Sequence, residues 1–379
     1  MINKIKDNAF IKSTLILLFG GFAGKLIGFI LKIIITRNLG AEAMGLLSLL
    51  SPTSSLLSTI AVFSYPTSLS KLISEKSYRT KDLFTSIIKG YFWGKQNMFP
   101  YMLSNFIEQI TRIILIILFL SKINNIVYKI CFIILINIIG EIISQITMML
   151  FIPKIKINNI NINKYAIKDT MQISISNTIS KLIGSFSHFL EPIIITNVLL
   201  FIGYSKEYII YEYGVINAYS LSLLLMPQFF TQNMSTSLIP ELSKHYSQKN
   251  YNMCIKRIKQ IILLSSFIGG LSTIIITLFP NFLLNILYKT NEGIDYIRFL
   301  SPFIILFYIQ YPLANALQAL GKSKTVLKIS IKTSTIRILS LVIFSFLKMG
   351  MYSLILTIIT NLIITTYMYY KETKKILSI

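Results

Sequence analysis

Six basic side chains lie inside apolar stretches of this 379-residue chain: Lys25, Lys32, Arg112, Lys181, Lys332 and Arg337. Two of them repeat their surroundings, since Lys-Leu-Ile-Gly occurs at 25–28 and again at 181–184. A lysine at the centre of a membrane helix costs about 3 kcal/mol or more. A charge stranded twice in one context therefore implies a polar cavity between two related halves, an architecture of membrane transporters. A lining of ammonium and guanidinium groups there would attract an anion, a diphosphate above all, because charge is poorly screened at low dielectric. For Lys32, near its helix end, snorkelling to the headgroups is an equal alternative. Asn177, with Gln172, shares the helix of Lys181 and adds hydrogen-bonding capacity to it.

Carboxylates inside the apolar stretches are fewer: Glu108, Glu141 and Glu191. Glu108 and Arg112 are spaced i, i+4 and can pair on one helix face. Glu141 stands alone, with Gln145 one turn on. Glu191 precedes Pro192, which removes a backbone hydrogen bond and can bend the helix beside the carboxylate; His188 lies one turn earlier. Glu108, Glu141, Glu191 and His188 are thus the candidates for coupling to H⁺ or Na⁺.

Other chemistries find little support. The nearest approach to a nucleotide-phosphate loop, 316–323 ending in Gly321-Lys322-Ser323, lacks the first glycine and follows no strand. Neither Cys131 nor Cys254 has metal-ligand spacing, and no nucleophile–base pairing is readable. No enzyme activity, no metal and no cofactor is expected.

These residues need helices to hold them. Hydrophobic residues make up 54% of the chain, charged residues 13%, and mean hydropathy is +0.66, whereas soluble domains carry about 25% charged residues. Ten stretches are long enough to cross a hydrocarbon core of about 30 Å: 13–35, 44–70, 99–120, 128–151, 170–199, 213–239, 260–283, 296–319, 325–347 and 351–370. The amino-terminal lysines precede an apolar run without a small-residue cleavage site, which reads as a retained first helix. The connecting segments alternate in charge: one set holds 24 Lys and Arg, the other 7. By the positive-inside rule both termini are cytoplasmic, in the cytoplasmic membrane of the cell. The net charge of +23 is then a topology signal and an attraction to anionic lipids, and no nucleic-acid partner is expected.

Further landmarks repeat. Gly94-Lys95 is matched by Gly321-Lys322, and Arg112 in Thr111-Arg112-Ile113-Ile114 by Arg337 in Ile336-Arg337-Ile338-Leu339. Between equivalent glycines the first half spans 66 residues (28 to 94) and the second 137 (184 to 321), a shortfall of 71. That is the length of about two membrane helices with their connections. The expected organisation is an amino-terminal bundle at 1–151, with four spans and a helical stub at 82–94. A cytoplasmic linker at 152–168 follows, then a carboxy-terminal bundle of six spans at 169–379.

Several motifs carry a resemblance. Gly24-Lys25-Leu26-Ile27-Gly28-Phe29 with Lys32 resembles the first helix of the stage V sporulation protein B-like oligosaccharide flippases, which usually have arginines at these two places. Tyr65-Pro66-Thr67-Ser68-Leu69-Ser70-Lys71-Leu72 resembles the end of their second helix. Gly90-Tyr91-Phe92-Trp93-Gly94-Lys95-Gln96-Asn97-Met98 is similar to the end of their fourth, and Ile107-Glu108-Gln109-Ile110-Thr111-Arg112 to their fifth. Residues 235–243, with Leu238-Ile239-Pro240-Glu241, are similar to the end of the eighth. The combination points to the multidrug/oligosaccharidyl-lipid/polysaccharide (MOP) exporter superfamily.

The resemblance implies an all-helical membrane protein with two pseudo-symmetric bundles around a central cavity, the first bundle lacking about two helices. It implies translocation of a lipid-linked oligosaccharide or peptidoglycan precursor by alternating access, with first-helix basic residues handling substrate, here Lys25 and Lys32. The expected partners are a lipid-linked glycan bearing a diphosphate, anionic lipids and cell-wall synthesis proteins, with a role in sporulation resting on the resemblance alone. Two alternatives stay open: a cation-coupled drug exporter of the same architecture, and a degenerate relative that no longer transports, which the missing length motivates.

Overall fold

The one-sided spacing of apolar residues within each stretch decides how the helices pack. In a computed structural model, residues 2–62, 92, 99–151 and 164–377 are described. The first helix, α1 (Ile2–Val62), is broken into two arms at Gly40, whose φ of 74° and ψ of −179° belong to a region open essentially to glycine. Then follow α2 (Phe99–Phe119), closed by a 3₁₀ turn at Leu120–Lys122, and α3 (Ile126–Leu150), capped by the Asn125 side chain on the Val127 amide at 2.8 Å. Next come α4 (Lys164–Ile202), α5 (Lys206–Gly214), a π-helical turn at Val215–Ser220, α6 (Leu221–Leu225) and α7 (Gln228–Ser247). The chain continues through α8 (Tyr251–Leu278), α9 (Pro280–Tyr288), α10 (Ile294–Ala319), α11 (Ser323–Phe346) and α12 (Tyr352–Leu377).

The faces follow the logic of a lipid solvent. On α3, Leu135, Ile138, Ile142, Ile146 and Met149 form an exposed stripe, while Gly140, Ser144 and Thr147 are buried. On α8, Leu263, Phe267, Leu271, Ile274 and Leu278 are exposed, and Ser265, Gly269 and Thr273 are buried. Small and weakly polar residues join buried ones such as Ile133, Ile136 and Ile276 in the helix contacts, and the exposed apolar stripes are left for acyl chains.

Eight helices among the described residues are long and apolar enough to cross a membrane. The first, Ala23–Ile60, unites two expected spans, 13–35 and 44–70, because a single residue, Gly40, replaces the connecting loop. The expected span 213–239 is present but interrupted, by the π turn and again at Met226-Pro227. The expected stub 82–94, apart from Phe92, and most of the linker 152–168 lie outside the described residues.

The chain packs as two units, Met1–Asn38 with Ser54–Leu182, and Leu39–Thr53 with Ile183–Ile379. The division falls within α4 rather than in the expected linker. In the first unit α2 packs on α3, and Gly28 of α1 faces the Gln109 side chain of α2. In the second, α10 is the central helix, packed against α7, α8 and α12, with α11 on α12. Its fully buried Tyr308 donates to the carbonyl of Leu224, and Gln310 donates to Leu362 O at 3.2 Å and Thr366 Oγ1 at 3.1 Å. The segment Leu39–Thr53 belongs to this unit because Gly45 and Gly214 let two backbones meet. A Cβ on Gly45 would strike the Ile210 carbonyl, and one on Gly214 the Ala41 carbonyl.

Candidate functional site

Helix α4 carries His188 and Glu191 into the second unit, and α11 brings Arg337 opposite them. Glu191 is buried at 7% exposure, a position that a carboxylate holds only with partners. Arg337 Nη2 donates to Glu191 Oε2, and Arg337 Nη1 lies 3.5 Å from His188 Nε2. The Tyr213 hydroxyl, at the end of α5, is a further hydrogen-bonding neighbour of Glu191, with the Asn217 side chain beside it. Asn217 in turn donates to the Tyr213 carbonyl at 3.0 Å. One turn before Glu191, Ser187 Oγ reaches the Ser334 carbonyl at 3.4 Å, tying α4 to α11. Arg337 Nε is buried and makes no hydrogen bond. The result is a four-residue polar cluster beside Pro192 and next to a π turn, a helix irregularity common at functional sites.

The first unit contains a simpler version. Arg112 Nη2 bonds Glu108 Oε1 at 2.6 Å on the same helix and donates to the Asn137 carbonyl of α3 at 3.3 Å. Its Nε, too, is buried without a hydrogen bond. Gly140 makes room for it: a Cβ there would lie 2.6 Å from Arg112 Nε and 3.0 Å from its Cγ. The two arginines that the sequence pairs by repeat are therefore both neutralised by a carboxylate, from different sources. Four residues before Arg112 stands Glu108; four before Arg337 stands Thr333, and Glu191 on another helix supplies the charge.

The remaining candidates are dispersed. Lys25 is exposed and Lys32 half-buried on the first arm of α1. Glu141 is exposed on α3, and Lys332 and Lys328 are exposed on α11, outside the Arg337 cluster. The side chains of Lys181 and Asn177 lie outside the described residues. The sequence reading ranked Arg337 with cavity-lining cations and Glu191 and His188 with ion-coupling groups; the structure brings the three together. Tyr213 was not anticipated, because its link to Glu191 crosses between helices, nor was Asn217, which touches the cluster only through Tyr213. Among the described residues no three His, Cys, Asp or Glu side chains are grouped to hold a metal ion.

Comparison with known proteins agrees with this architecture. The family model described as "Polysaccharide biosynthesis protein" matches residues 10–89 and 82–246, more than half the chain. The chain belongs to that family. The model for MatE matches residues 216–343 of this polysaccharide biosynthesis family member. It is similar to stage V sporulation protein B of Bacillus subtilis (strain 168), 27% identical over 98% of this chain and 84% of that protein. It is also similar to sporulation protein YkvU of the same organism, 21% identical over 98% and 96%. Among solved structures, a multidrug resistance MATE family transporter of the MOP superfamily in its inward-facing conformation superposes with TM-score 0.65. That match is 13% identical and covers 97% of this chain and 91% of that one. A MOP superfamily transporter from Pyrococcus furiosus, whose binding pocket has reversed polarity, gives 0.54 at 14% identity, covering 98% and 88%. At such identities the structural likeness is one of fold. By family the chain is a polysaccharide biosynthesis protein, and its helical fold is similar to that of MATE transporters.

The alignments also bear on length. The match to stage V sporulation protein B runs for 439 positions while covering 98% of 379 residues, about 371, so about 68 positions face gaps in this chain. That agrees with the 71 residues missing between repeated landmarks. The two stretches matched to the polysaccharide family overlap at 82–89, just after the lysine-rich stretch 71–81 where the sequence puts the gap.

Proposed function

We propose that this protein moves a lipid-linked oligosaccharide or peptidoglycan precursor from the inner to the outer leaflet of the cytoplasmic membrane. Both of its termini would lie in the cytoplasm, and it would work by alternating access. The observation that carries the reading is a match of polysaccharide biosynthesis character over most of the chain, combined with spans in which six basic side chains outnumber three acidic ones. Two of those three carboxylates, Glu108 and Glu191, are already bonded to arginines. A cation-coupled drug exporter would draw on free carboxylates, and among the described residues only Glu141 of the three is not paired to an arginine. Lys25, Lys32 and Lys181 are the groups assigned to the diphosphate, with Asn177, Arg112 and Arg337 in support. The Glu191–Arg337–His188 cluster is assigned to coupling, because a proton or cation arriving at Glu191 would compete with Arg337 for the carboxylate. A transmembrane potential acting on one such charge is worth about 2.3 kcal/mol per 100 mV.

Complementation tests the reading. A strain lacking its lipid-precursor flippase should be rescued by this chain, and rescue should be lost with Lys25→Ala or Lys181→Ala while membrane insertion persists. Undiminished rescue by the double variant would remove the two lysines from the mechanism. Drug resistance without rescue would favour the exporter, the reading that the MatE match keeps open. Neither phenotype would point to a transport-inactive relative.

A further inference from the structure

Acidic side chains are scarce in this chain, 14 in all, yet Glu212, Glu292 and Asp295 gather at one end of the second unit. There α5, the first turn of α9, the connector before α10 and the first turns of α10 and α12 line an open cavity of about 480 Å³. Pockets for small organic ligands run from roughly 300 to 1,000 Å³.

The cavity is built rather than incidental. Tyr296, 8% exposed, and buried Val215 form part of its lining. Gly293, at φ +83°, turns the connector beside them, and Ser220 Oγ holds that turn by donating to the Gly293 carbonyl at 3.0 Å. The rings of Tyr296 and Tyr352 meet with centroids 5.1 Å apart. The Tyr296 hydroxyl donates to Glu212 Oε2 at 2.7 Å, and the Tyr211 hydroxyl to Glu292 Oε1 at 2.5 Å. Each phenol thus fixes one carboxylate oxygen and leaves its twin to accept from elsewhere. At the rim, the side chains of Asn281, Asn291, Asp295 and Arg298 are exposed. They make no hydrogen bond or ion pair with other described residues.

This lining discriminates among ligands. A divalent cation wants several oxygens converging on one point, and no such group forms among the described residues; the Arg298 guanidinium also stands on the rim. A phosphate or diphosphate would face three carboxylates against one arginine. An apolar molecule would strip water from carboxylates and amides without replacing their hydrogen bonds. A sugar fits each feature. Its hydroxyls donate to the free carboxylate oxygens, exchange bonds with the two asparagine amides and accept from the guanidinium, while its C–H face lies on phenol rings.

We propose that this cavity is a saccharide-binding site for one or two uncharged sugar units. It lies at the end of the second unit remote from the lysine-rich segments Lys244–Lys259, Lys322–Lys328 and Lys371–Lys375. On the orientation adopted under the proposed function, that end faces outward, and the pocket would receive the sugar portion of a translocated glycan. The saccharide chemistry itself is read from the lining and does not depend on that orientation.

The test uses purified full-length protein in nanodiscs, titrated separately with N,N′-diacetylchitobiose, cellobiose and inorganic pyrophosphate. Binding is read by saturation-transfer NMR and calorimetry. At least one disaccharide should bind, pyrophosphate should not compete with it, and Asn281→Ala and Arg298→Gln should each weaken binding about fivefold or more. Both substitutions are of exposed residues, so the melting temperature should stay that of the parent. Failure of both disaccharides to bind, binding indifferent to both substitutions, or displacement by pyrophosphate would each overturn the assignment. Since no transport is required, sugar binding by a chain that rescues no flippase-deficient strain would leave this site standing and remove the flippase reading. Rescue without sugar binding would do the opposite.

Discussion

Removing the Glu191 carboxylate tests whether the polar cluster is held together by charge. In the pair Arg337–Glu191 the side chains are 15% and 10% exposed, so water screens them little. Glu191→Ala would leave the guanidinium with His188 at 3.5 Å as its closest remaining described partner, while its Nε already lacks a hydrogen bond. Breaking a buried pair from one side costs about 3–5 kcal/mol. For a body of 150–250 residues, at about 2–4 °C per kcal/mol, the melting temperature should fall by roughly 6–20 °C. Arg337→Met should cost as much, because it strands Glu191. The double variant Glu191→Met/Arg337→Met removes both charges and should recover most of the loss, with a coupling energy of about 2 kcal/mol or more. Thermal unfolding of the four proteins in one detergent completes the cycle. Single losses that simply add in the double variant would refute the argument, since two uncoupled side chains cannot be each other's neutralising partner.

Other substitutions probe different contacts. Gly214→Ala should destabilise by about 1–3 kcal/mol, because its methyl would be driven into the Ala41 carbonyl; a melting curve equal to the parent's would show the crossing to be loose. Gly140→Val should dislodge Arg112 from Glu108 and Asn137, seen as lost stability that Gly140→Val/Arg112→Ala does not deepen. In the cavity at the other end of the second unit, the hydrogen bond to Glu292 pushes the Tyr211 phenol up to about 12. The stabilisation tied to that proton is complete below the ordinary tyrosine value of about 10 and is lost as pH rises through about 12. Glu292→Gln should bring one phenolate absorbance transition back toward 10, and an unchanged difference spectrum would count against the Tyr211–Glu292 bond.

Much of the fold was legible because it depends on length and one-sided hydropathy. Stretches such as 128–151 and 296–319 reappear within a few residues as Ile126–Leu150 and Ile294–Ala319. Less was legible where one residue decides geometry. Gly40 joins two expected spans into one broken helix, and nothing in its neighbours marks it apart from other loop glycines. The Glu108–Arg112 pair was readable because both residues share a helix, at a spacing that fixes their distance. Glu191 and Arg337 were each conspicuous, but their meeting depends on how α4 lies against α11, and a gap of 146 residues carries no distance information. The tyrosine-lined cavity escaped for the opposite reason. Glu212, Glu292 and Asp295 sit in segments polar enough to pass as ordinary connectors, and only the turn at Gly293 brings them together.

The π turn at Val215–Ser220 has a genetic corollary. Such a turn accommodates one residue more than an α-helical turn, so deleting a single residue within it would let the chain anneal into an unbroken helix. Every position upstream would then swing by about 100° relative to α7. Tyr213 would leave Glu191, and Gly214 would present a different flank to Ala41. A one-codon loss here would thus undo two unrelated contacts at once while leaving amino-acid composition, hydropathy and helix content almost untouched.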